Sequence, residues 1–217
     1  KLTEIVIPAS VKTMAGGTFI DCENLEKVEF KGDKPTTIPA FTFQSCRSLT
    51  EVQWPTSLQE IGERAFYDCS ALEELDFRDL KELKKIGALL TSQCFNLKKV
   101  YLPANAELDL DRAMAAEPIP PLANRKKATI YYAGSKEDFK ERVSNGSDPQ
   151  NYFYRVSLNG YNNESAGFCA VEFSEYAVTF ENEDGSEYAK RALFEGDTFG
   201  DVKKPANPTK AGYTFKG

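Results

Sequence analysis

Apolar residues in the first hundred positions recur in one fixed frame that repeats every 23 to 25 residues. Each unit carries a cysteine, with an apolar residue eight positions before it and further apolar residues three, six and eight positions after it. Phenylalanine stands three positions before the cysteine in three units, and Thr91 takes this place in the fourth. A repeat of this period predicts a solenoid in which each unit forms one coil and depends on its neighbours for stability. The anchoring residues are Cys22, Cys46, Cys69 and Cys94, preceded at eight positions by Met14, Ile38, Ile61 and Ile86.

Variation in unit length is confined to a single polar segment of each unit. This segment lies between the last apolar residue of one frame and the first of the next. The separations are 7, 8, 7 and 9 for Ile7 to Met14, Phe30 to Ile38, Trp54 to Ile61 and Phe77 to Ile86. Surface loops tolerate such changes in length, so the pattern predicts coils that each contain one tolerant loop.

Two elements are predicted within each unit. The triplets IVI, VEF, VQW, LDF and VYL have the period of two that is typical of a strand with one face in the core. Stacking of the units would pair these strands into a parallel sheet. The segment IGERAFYDC is too short for a helix that is stable alone, so we expect a helical or 3₁₀ turn held in place by Phe66.

The repeat is interrupted after residue 103. A proline-rich insertion covers residues 103 to 127, and ATIYYAG then restores a strand with Ile130 and Tyr132 facing inward. SKEDFKERV predicts a short helix capped by Ser135, with Asp138 completing a capping box. NYFYRVSLNG and GFCAVEF, which contains Cys169, predict one or two further strands. This region therefore reads as the end of the solenoid and its cap.

The repeated phrase resembles the BspA-type leucine-rich repeats of bacterial surface proteins. The phrase consists of an apolar-x-apolar-Pro segment followed by Ile-Gly, Ala-Phe and Cys, and the resemblance covers residues 2 to about 103. It implies an α/β repeat solenoid, a leucine-rich repeat with a parallel sheet on one face, followed here by a small β-rich module. The third unit carries the whole phrase in Pro55, Ile61, Gly62, Ala65, Phe66 and Cys69; departures are Lys31 and Pro39 in the second unit and Arg78, Leu90 and Thr91 in the fourth.

The end of the chain resembles a different family, the Listeria-Bacteroides repeat, which is a small β-grasp-like module. Asp184-Gly185 matches its first hairpin turn, and Gly212-Tyr213-Thr214-Phe215 matches its closing signature together with Pro205 and Asn207-Pro208-Thr209. Family members continue into a tryptophan and a final strand, so a partial module is expected. The domains expected are the solenoid with an irregular last unit at 1–134, a cap and connector at 135–175, and the partial module at 176–217.

Charge and hydropathy exclude two classes of partner. The chain has 217 residues, 41% of them apolar, and a net charge of −6, so it lacks the basic surface that nucleic acids and anionic membranes require. The sequence contains no apolar run of the ~18 residues that a membrane span needs. The opening KLTEIVIPAS lies inside the repeat and has no signal-peptide features. We expect a trimmed chain, whose opening carries no information about export.

The candidate chemistry of the sequence is sparse. The chain has no histidine, which eliminates His-dependent nucleophilic catalysis and His-ligated metal centres. The four cysteines at equivalent positions of the repeat, which we call the cysteine column, could form disulfides or a metal site. The absence of CxxC motifs favours buried free thiols. Glu51, Glu74 and Asp76 could act as paired carboxylates on a glycosidic bond, but they occupy outward strand positions, which favours a solvated face. We expect no catalytic residue, metal or cofactor.

The outward strand positions form the candidate site, which we call the outer face. Its acidic middle is flanked by Lys99 and by Tyr101 and Tyr131, and such aromatic residues anchor protein interfaces while charge steers encounter. The alternative is that these positions are only the hydrated side of a sheet. The predicted ligand-binding residues are Glu29, Glu51, Gln53, Glu74, Asp76, Lys99, Tyr101 and Tyr131, and the face also includes Glu4, Val6, Lys27 and Thr129.

The resemblance implies a non-enzymatic protein of the cell surface or the extracellular medium that binds another protein, as an adhesin does. The partner would be a protein of a host or of another microbe's surface. The alternative is an accessory or carbohydrate-binding region of a larger extracellular enzyme. A catalytic domain elsewhere in the full-length protein would favour this alternative, whereas an anchor and tandem terminal modules would favour the adhesin.

Overall fold

A computed structural model describes residues 1–87, 89–104, 128–142, 168–174, 176–181, 187–194 and 197. Most regular elements of these residues are short strands, and the single helix described follows the solenoid. The predicted solenoid of stacked coils is confirmed. The strands are β1 Glu4–Ile7, β2 Lys27–Phe30, β3 Thr37–Ile38, β4 Glu51–Gln53, β5 Glu60–Ile61, β6 Glu74–Asp76, β7 Lys85–Ile86, β8 Lys99–Leu102, β9 Ala128–Tyr132, β10 Phe168–Phe173, β11 Tyr176–Glu181 and β12 Glu187–Leu193, and helix α1 is Lys136–Arg142.

The apolar-x-apolar triplets form the predicted parallel strands, but these make two sheets. One sheet has the order β1-β2-β4 and the other the order β10-β9-β8-β6, so pairing is interrupted between β4 and β6. The interruption coincides with Trp54, whose indole ring lies 5.6 Å from the ring of Phe66 and 5.1 Å from that of Phe77. The single parallel sheet that we predicted is therefore divided at the position where Trp54 packs between coils.

Inward side chains of successive coils make one continuous core. Val28, Val100 and Ile130 are fully buried at equivalent positions of their strands. The phenylalanines three positions before the cysteines stack on one another, with ring centroids 5.6 Å apart for Phe19 and Phe43 and 5.2 Å apart for Phe43 and Phe66. Burial of each such side chain contributes roughly 1.5–3 kcal/mol, and most of that gain requires the neighbouring coil.

A third parallel sheet, β3-β5-β7, runs along another side of the coils. Its backbones approach very closely, because the Gly62 N–H donates to the Ile38 carbonyl at 2.7 Å and the Gly87 N–H donates to the Ile61 carbonyl at 2.7 Å. A Cβ atom on Gly62 would lie only 2.3 Å from the backbone nitrogen of Ala40. The Ile-Gly step of the repeated phrase is thus required by the distance between neighbouring backbones.

The segment before each cysteine is not the helical or 3₁₀ turn that we predicted. It is a series of β-turns in which the residues five and one positions before the cysteine have positive φ, a value outside helical geometry. Alternate N–H groups point to the next coil, as when Phe43 N–H donates to the Ala65 carbonyl at 2.9 Å and Ser45 N–H to the Tyr67 carbonyl at 2.8 Å. A helix would direct these groups along its own axis, so pairing between coils replaces helix formation. The positive-φ pairs are Gly17 and Asp21, Phe41 and Ser45, Arg64 and Asp68, and Leu89 and Gln93.

The cysteines are aligned through the coils, and each thiol after the first bonds to the preceding coil. The Sγ–H groups of Cys46, Cys69 and Cys94 donate to the carbonyls of Phe19, Phe43 and Phe66 at 3.2, 3.1 and 3.0 Å. All three are buried and free, whereas Cys22 is only partly buried. Burial raises the pKa of Cys46 and of Cys94 to about 12, and it raises the pKa of Cys69 as well. The prediction of buried thiols is therefore confirmed for these three cysteines.

The strand and the short helix predicted after the insertion are present as β9 and α1. Ile130 and Tyr132 are fully buried, and the Asp138 N–H donates to Ser135 Oγ at 3.0 Å at the start of α1. Phe139 packs edge-on against Tyr132 with ring centroids 5.0 Å apart. The carboxylate of Asp138 accepts a hydrogen bond from the Tyr132 hydroxyl, which ties the helix to the last coil. It also accepts one from Arg142 Nε within the helix itself.

Other predictions lie wholly or partly outside the described residues. These are most of the proline-rich insertion, the strand NYFYRVSLNG, the Asp184-Gly185 turn and the closing signature of the terminal module. Strand β10 pairs in parallel with β9, and β11 pairs with β12 in an antiparallel hairpin. The hairpin accords with a small β-rich module, while the expected domain boundaries and the membership of that module stay predictions.

Candidate binding face

The strand register brings the outer-face residues into two groups, one on each sheet. In the first sheet Lys27 is the partner of both Glu4 and Glu51, and Glu29 is the partner of both Val6 and Gln53. The second sheet aligns Glu74, Lys99 and Thr129 in one row and Asp76, Tyr101 and Tyr131 in the other. Neighbours in a row are separated by the ~4.8 Å spacing of paired strands. Three of the predicted residues therefore belong to the first group and five to the second.

The first group is open to solvent and predominantly acidic. Val6 is 49% exposed, and Glu51 and Gln53 are exposed as well. The Lys27 ammonium lies 2.9 Å from a Glu51 carboxylate oxygen, and this contact raises the pKa of Lys27. Lys31 makes a similar contact with Glu29. Surface ion pairs of this kind contribute little to stability.

The second group contains an arginine that the repeat pattern did not place on the outer face. Arg78 Nε and Nη2 donate to the two carboxylate oxygens of Asp76 at 3.0 and 2.7 Å. Its guanidinium carbon also lies 4.0 Å from the centroid of the Tyr101 ring. The available signal was the departure of Arg78 from the proline that the repeated phrase has at this position. The Asp76 carboxylate is thus held by the protein itself.

The two tyrosines form a stacked pair. Their ring centroids are 4.8 Å apart with an interplanar angle of 24°, and the Lys99 ammonium lies 5.9 and 5.7 Å from the Tyr101 and Tyr131 rings. Burial, reinforced by the Glu74 carboxylate, raises the pKa of Tyr101 to about 12. Burial also raises the pKa of Tyr131, with the Glu172 carboxylate acting in the same direction.

Tyr101 lies at the outward strand position that we predicted, but the expectation that it is accessible to solvent is wrong. Only 5% of this residue is exposed, because Arg78 covers one side and Phe194 another. The Phe194 ring lies 5.7 Å from Tyr101 and 5.0 Å from Tyr131. Phe194 follows strand β12, far along the chain, and no feature of the repeat indicated that it reaches the solenoid.

Within the described residues there is no metal-binding group, and the three carboxylates considered for glycosidic chemistry are divided between two sheets. No three His, Cys, Asp or Glu side chains within the described ranges come together in a way that could hold a metal ion. Glu51 belongs to one sheet, whereas Glu74 and Asp76 belong to the other. In the part of the chain that is described, no helix combines the length and the apolar character needed to cross a bilayer.

Several solved bacterial proteins are similar to this chain. A leucine-rich repeat protein of T. pallidum is 23% identical, with 54% of this chain and 59% of that chain covered and a TM-score of 0.45. The pneumococcal vaccine antigen PcpA is 22% identical, with coverages of 67% and 40% and a TM-score of 0.47. A leucine-rich cell surface protein of Faecalibacterium prausnitzii is 19% identical, with coverages of 86% and 44% and a TM-score of 0.48. This chain thus spans less than two thirds of the length of each.

A search of curated proteins found no match to the chain. The model of a protein family, described as the BspA type leucine rich repeat region, matches residues 1–110 in 6 copies. This range contains the cysteine-anchored units and strands β1 to β8, whose stacking the structure shows directly. The chain therefore belongs to the BspA-type leucine-rich repeat family.

Proposed function

We propose that this chain is a non-enzymatic protein-binding module that acts at the cell surface or in the extracellular medium as part of an adhesion protein. The observation that carries the proposal is the exposed first group of the outer face. Its side chains are displayed at a fixed spacing by hydrogen-bonded strands over a continuous core. A surface fixed in this way loses little conformational entropy when a partner binds.

The chemistry of the first group defines the partner that fits it. Glu4, Glu29 and Glu51 outnumber the two lysines beside them, Lys27 and Lys31, and Val6 adds an exposed apolar side chain. A basic protein surface with an apolar contact near its centre complements this arrangement, because opposite charge steers encounter and apolar burial holds the complex. The membership of the chain in a family of repeats known from surface proteins supports a protein of a host or of another microbe as the partner.

A charge-reversal experiment tests the proposal. The chain is screened against arrayed extracellular matrix proteins and microbial surface proteins, and affinity for any hit is measured for wild type and for Glu51→Lys. We expect Glu51→Lys to weaken binding by about tenfold or more, because it removes one favourable charge and introduces a repulsive one. Raising the salt concentration should weaken the wild-type complex as well.

The matched control is Glu63→Lys, which makes the same charge change at a glutamate outside the outer face, next to strand β5. Equal losses of affinity in Glu51→Lys and Glu63→Lys would indicate an effect of net charge alone and would contradict the assignment of the outer face as the binding surface. A glycan array run in parallel addresses the carbohydrate-binding alternative. Binding to glycans in the absence of any protein hit would favour that alternative.

A further inference from the structure

The tyrosine pair of the outer face is occupied by a side chain of the same protein. Phe194 is 5% exposed, and its ring contacts Tyr131 in an edge-on arrangement with an interplanar angle of 74°. It contacts Tyr101 in a tilted arrangement with an interplanar angle of 54°. Edge-on and tilted contacts of this kind are favoured because the positive edge of one ring meets the negative face of another.

Phe194 is positioned by hydrogen bonds on both of its sides. Its N–H donates to Asp197 Oδ2 at 2.8 Å, and the Asp197 N–H donates to the Phe194 carbonyl at 3.0 Å, which closes a tight turn. The hydroxyl of Ser174, the residue after β10, donates to the Leu193 carbonyl at 2.9 Å. The end of the hairpin is therefore attached to the strand that continues the outer sheet.

Another side of the Tyr101 ring is covered by Arg78, whose position is fixed as well. Arg78 stacks on Tyr101 while both oxygens of Asp76 hold its guanidinium group. The arginine thus keeps the Tyr101 ring in place, and its own position is fixed by a bidentate ion pair. A guanidinium group on a tyrosine face also makes a cation–π contact that strengthens as water is excluded.

We propose that Tyr101, Tyr131 and Arg78 form a docking site for an aromatic side chain, and that Phe194 is its resident occupant. While Phe194 is docked, this end of the outer face is closed to other ligands. A partner that uses it must present an aromatic side chain and displace the turn. The closing of the site concerns this chain alone, whereas its effect on partner binding rests on the proposed function.

Tyrosine nitration followed by peptide mapping tests the docking. In wild type, Tyr101 should react slowly with tetranitromethane because it is covered and because its pKa is raised. Phe194→Ala should accelerate nitration of Tyr101 at least tenfold. Asp197→Ala, which removes only the carboxylate that closes the turn, should accelerate it in the same direction by a smaller factor.

Two controls make the result specific. Thr179→Ala changes an exposed residue on the hairpin strand β11 and should leave Tyr101 as slow as in wild type. Tyr132 is fully buried between strand β9 and helix α1 and should stay unreactive in every variant, so it reports whether the end of the solenoid remains folded. Unchanged nitration of Tyr101 in both Phe194→Ala and Asp197→Ala would overturn the proposal.

A free peptide that carries Phe194 distinguishes a site that recognises an aromatic side chain from packing that depends on the covalent connection. The peptide ALFEGD, residues 192–197, should restore protection of Tyr101 in the Phe194→Ala protein at ~mM concentration, the range to which a short tether corresponds. The same peptide with alanine in place of phenylalanine should have no effect. Equal protection by the two peptides would refute recognition of an aromatic side chain, and neither result depends on whether an external protein partner exists.

Discussion

At the scale of single residues, the cysteine column has a physical reason beyond small size. Each buried thiol fills a narrow apolar space and also donates a hydrogen bond to a phenylalanine carbonyl of the preceding coil. That carbonyl already accepts the N–H of the cysteine in its own coil. Burial could be predicted from the repeated phrase, because cysteine takes an inward position in such repeats. The donor role could not, since it depends on turn geometry that the sequence pattern does not contain.

The glycine of the Ile-Gly step gives a prediction at the same scale. We expect Gly62→Ala to lower the free energy of unfolding by ~1–3 kcal/mol or more, because the added Cβ would lie 2.3 Å from the Ala40 nitrogen and 2.7 Å from the Pro39 carbonyl carbon. Urea denaturation followed by tryptophan fluorescence measures the change through Trp54. Gly16→Ala is the matched control, since its nearest contact would be 3.2 Å from the Ala40 oxygen. A cost for Gly62→Ala no larger than for the control would contradict the close approach of the coils.

At the scale of elements, strands could be predicted and turns could not. A period of two in the apolar residues indicates a half-buried strand whatever its neighbours are. The segment IGERAFYDC contains good helix formers, and its true shape is fixed by N–H groups that bond to the next coil. Arg64 and Asp68 adopt positive φ in this segment although neither is a glycine. Tertiary hydrogen bonds thus override local propensity, which is why the predicted helical turn was wrong.

The stack of phenylalanine rings gives the prediction for this scale. We expect Phe66→Ala to cost ~3–5 kcal/mol, because Phe66 is fully buried and contacts both Phe43 and Trp54. Phe41→Ala is the matched control from the adjacent coil, and it should cost much less because Phe41 is 36% exposed. Thermal unfolding monitored by circular dichroism compares the two. An unchanged melting curve for Phe66→Ala would contradict the coil arrangement.

At the scale of the whole molecule, the buried thiols and the covered tyrosine hydroxyl make the free energy of unfolding sensitive to high pH. The thiols of Cys46 and Cys94 have their pKa raised from the ordinary value of 9.0 to about 12, and the Tyr101 hydroxyl from 10.0 to about 12. Above about pH 9 for the thiols and about pH 10 for the tyrosine, the unfolded chain releases these protons while the folded chain keeps them. The folded state then binds more protons, so the free energy of unfolding must fall as pH rises toward 12.

The corresponding experiment compares urea midpoints at pH 8, 9.5 and 11. Each group contributes up to roughly 1.4 kcal/mol per pH unit while only its unfolded form titrates. A variant combining Cys46→Ala, Cys94→Ala and Tyr101→Phe should lose stability less steeply with pH, even if it is less stable at pH 8. Parallel pH profiles for the two proteins would rule out these groups as the cause.

The outer face shows how far a sequence can define a surface. The register of the strands follows from the repeat, so the alignment of Glu51 with Lys27 and of Tyr101 with Tyr131 could be predicted. The cover over the tyrosines could not, because Phe194 lies outside the repeat and reaches Tyr101 from 93 positions along the chain. A periodic pattern carries information about neighbouring coils only. Contacts made by a later, non-repeating segment have no signature in it.

The hydrogen bonds donated by the cysteine thiols all run from one coil to the coil before it. The coils of Cys46 and Cys69 each offer a phenylalanine carbonyl to the coil that follows and donate a thiol hydrogen bond to the coil before. A whole unit therefore contains both a donor and an acceptor for this hydrogen bond between coils. Excision of residues 46–68 would set the Cys69 thiol opposite the Phe19 carbonyl and the Cys94 thiol opposite that of Phe43. Arrays of this kind can consequently be shortened or lengthened by recombination in whole units, and the reach of the molecule can evolve separately from the chemistry that joins its parts.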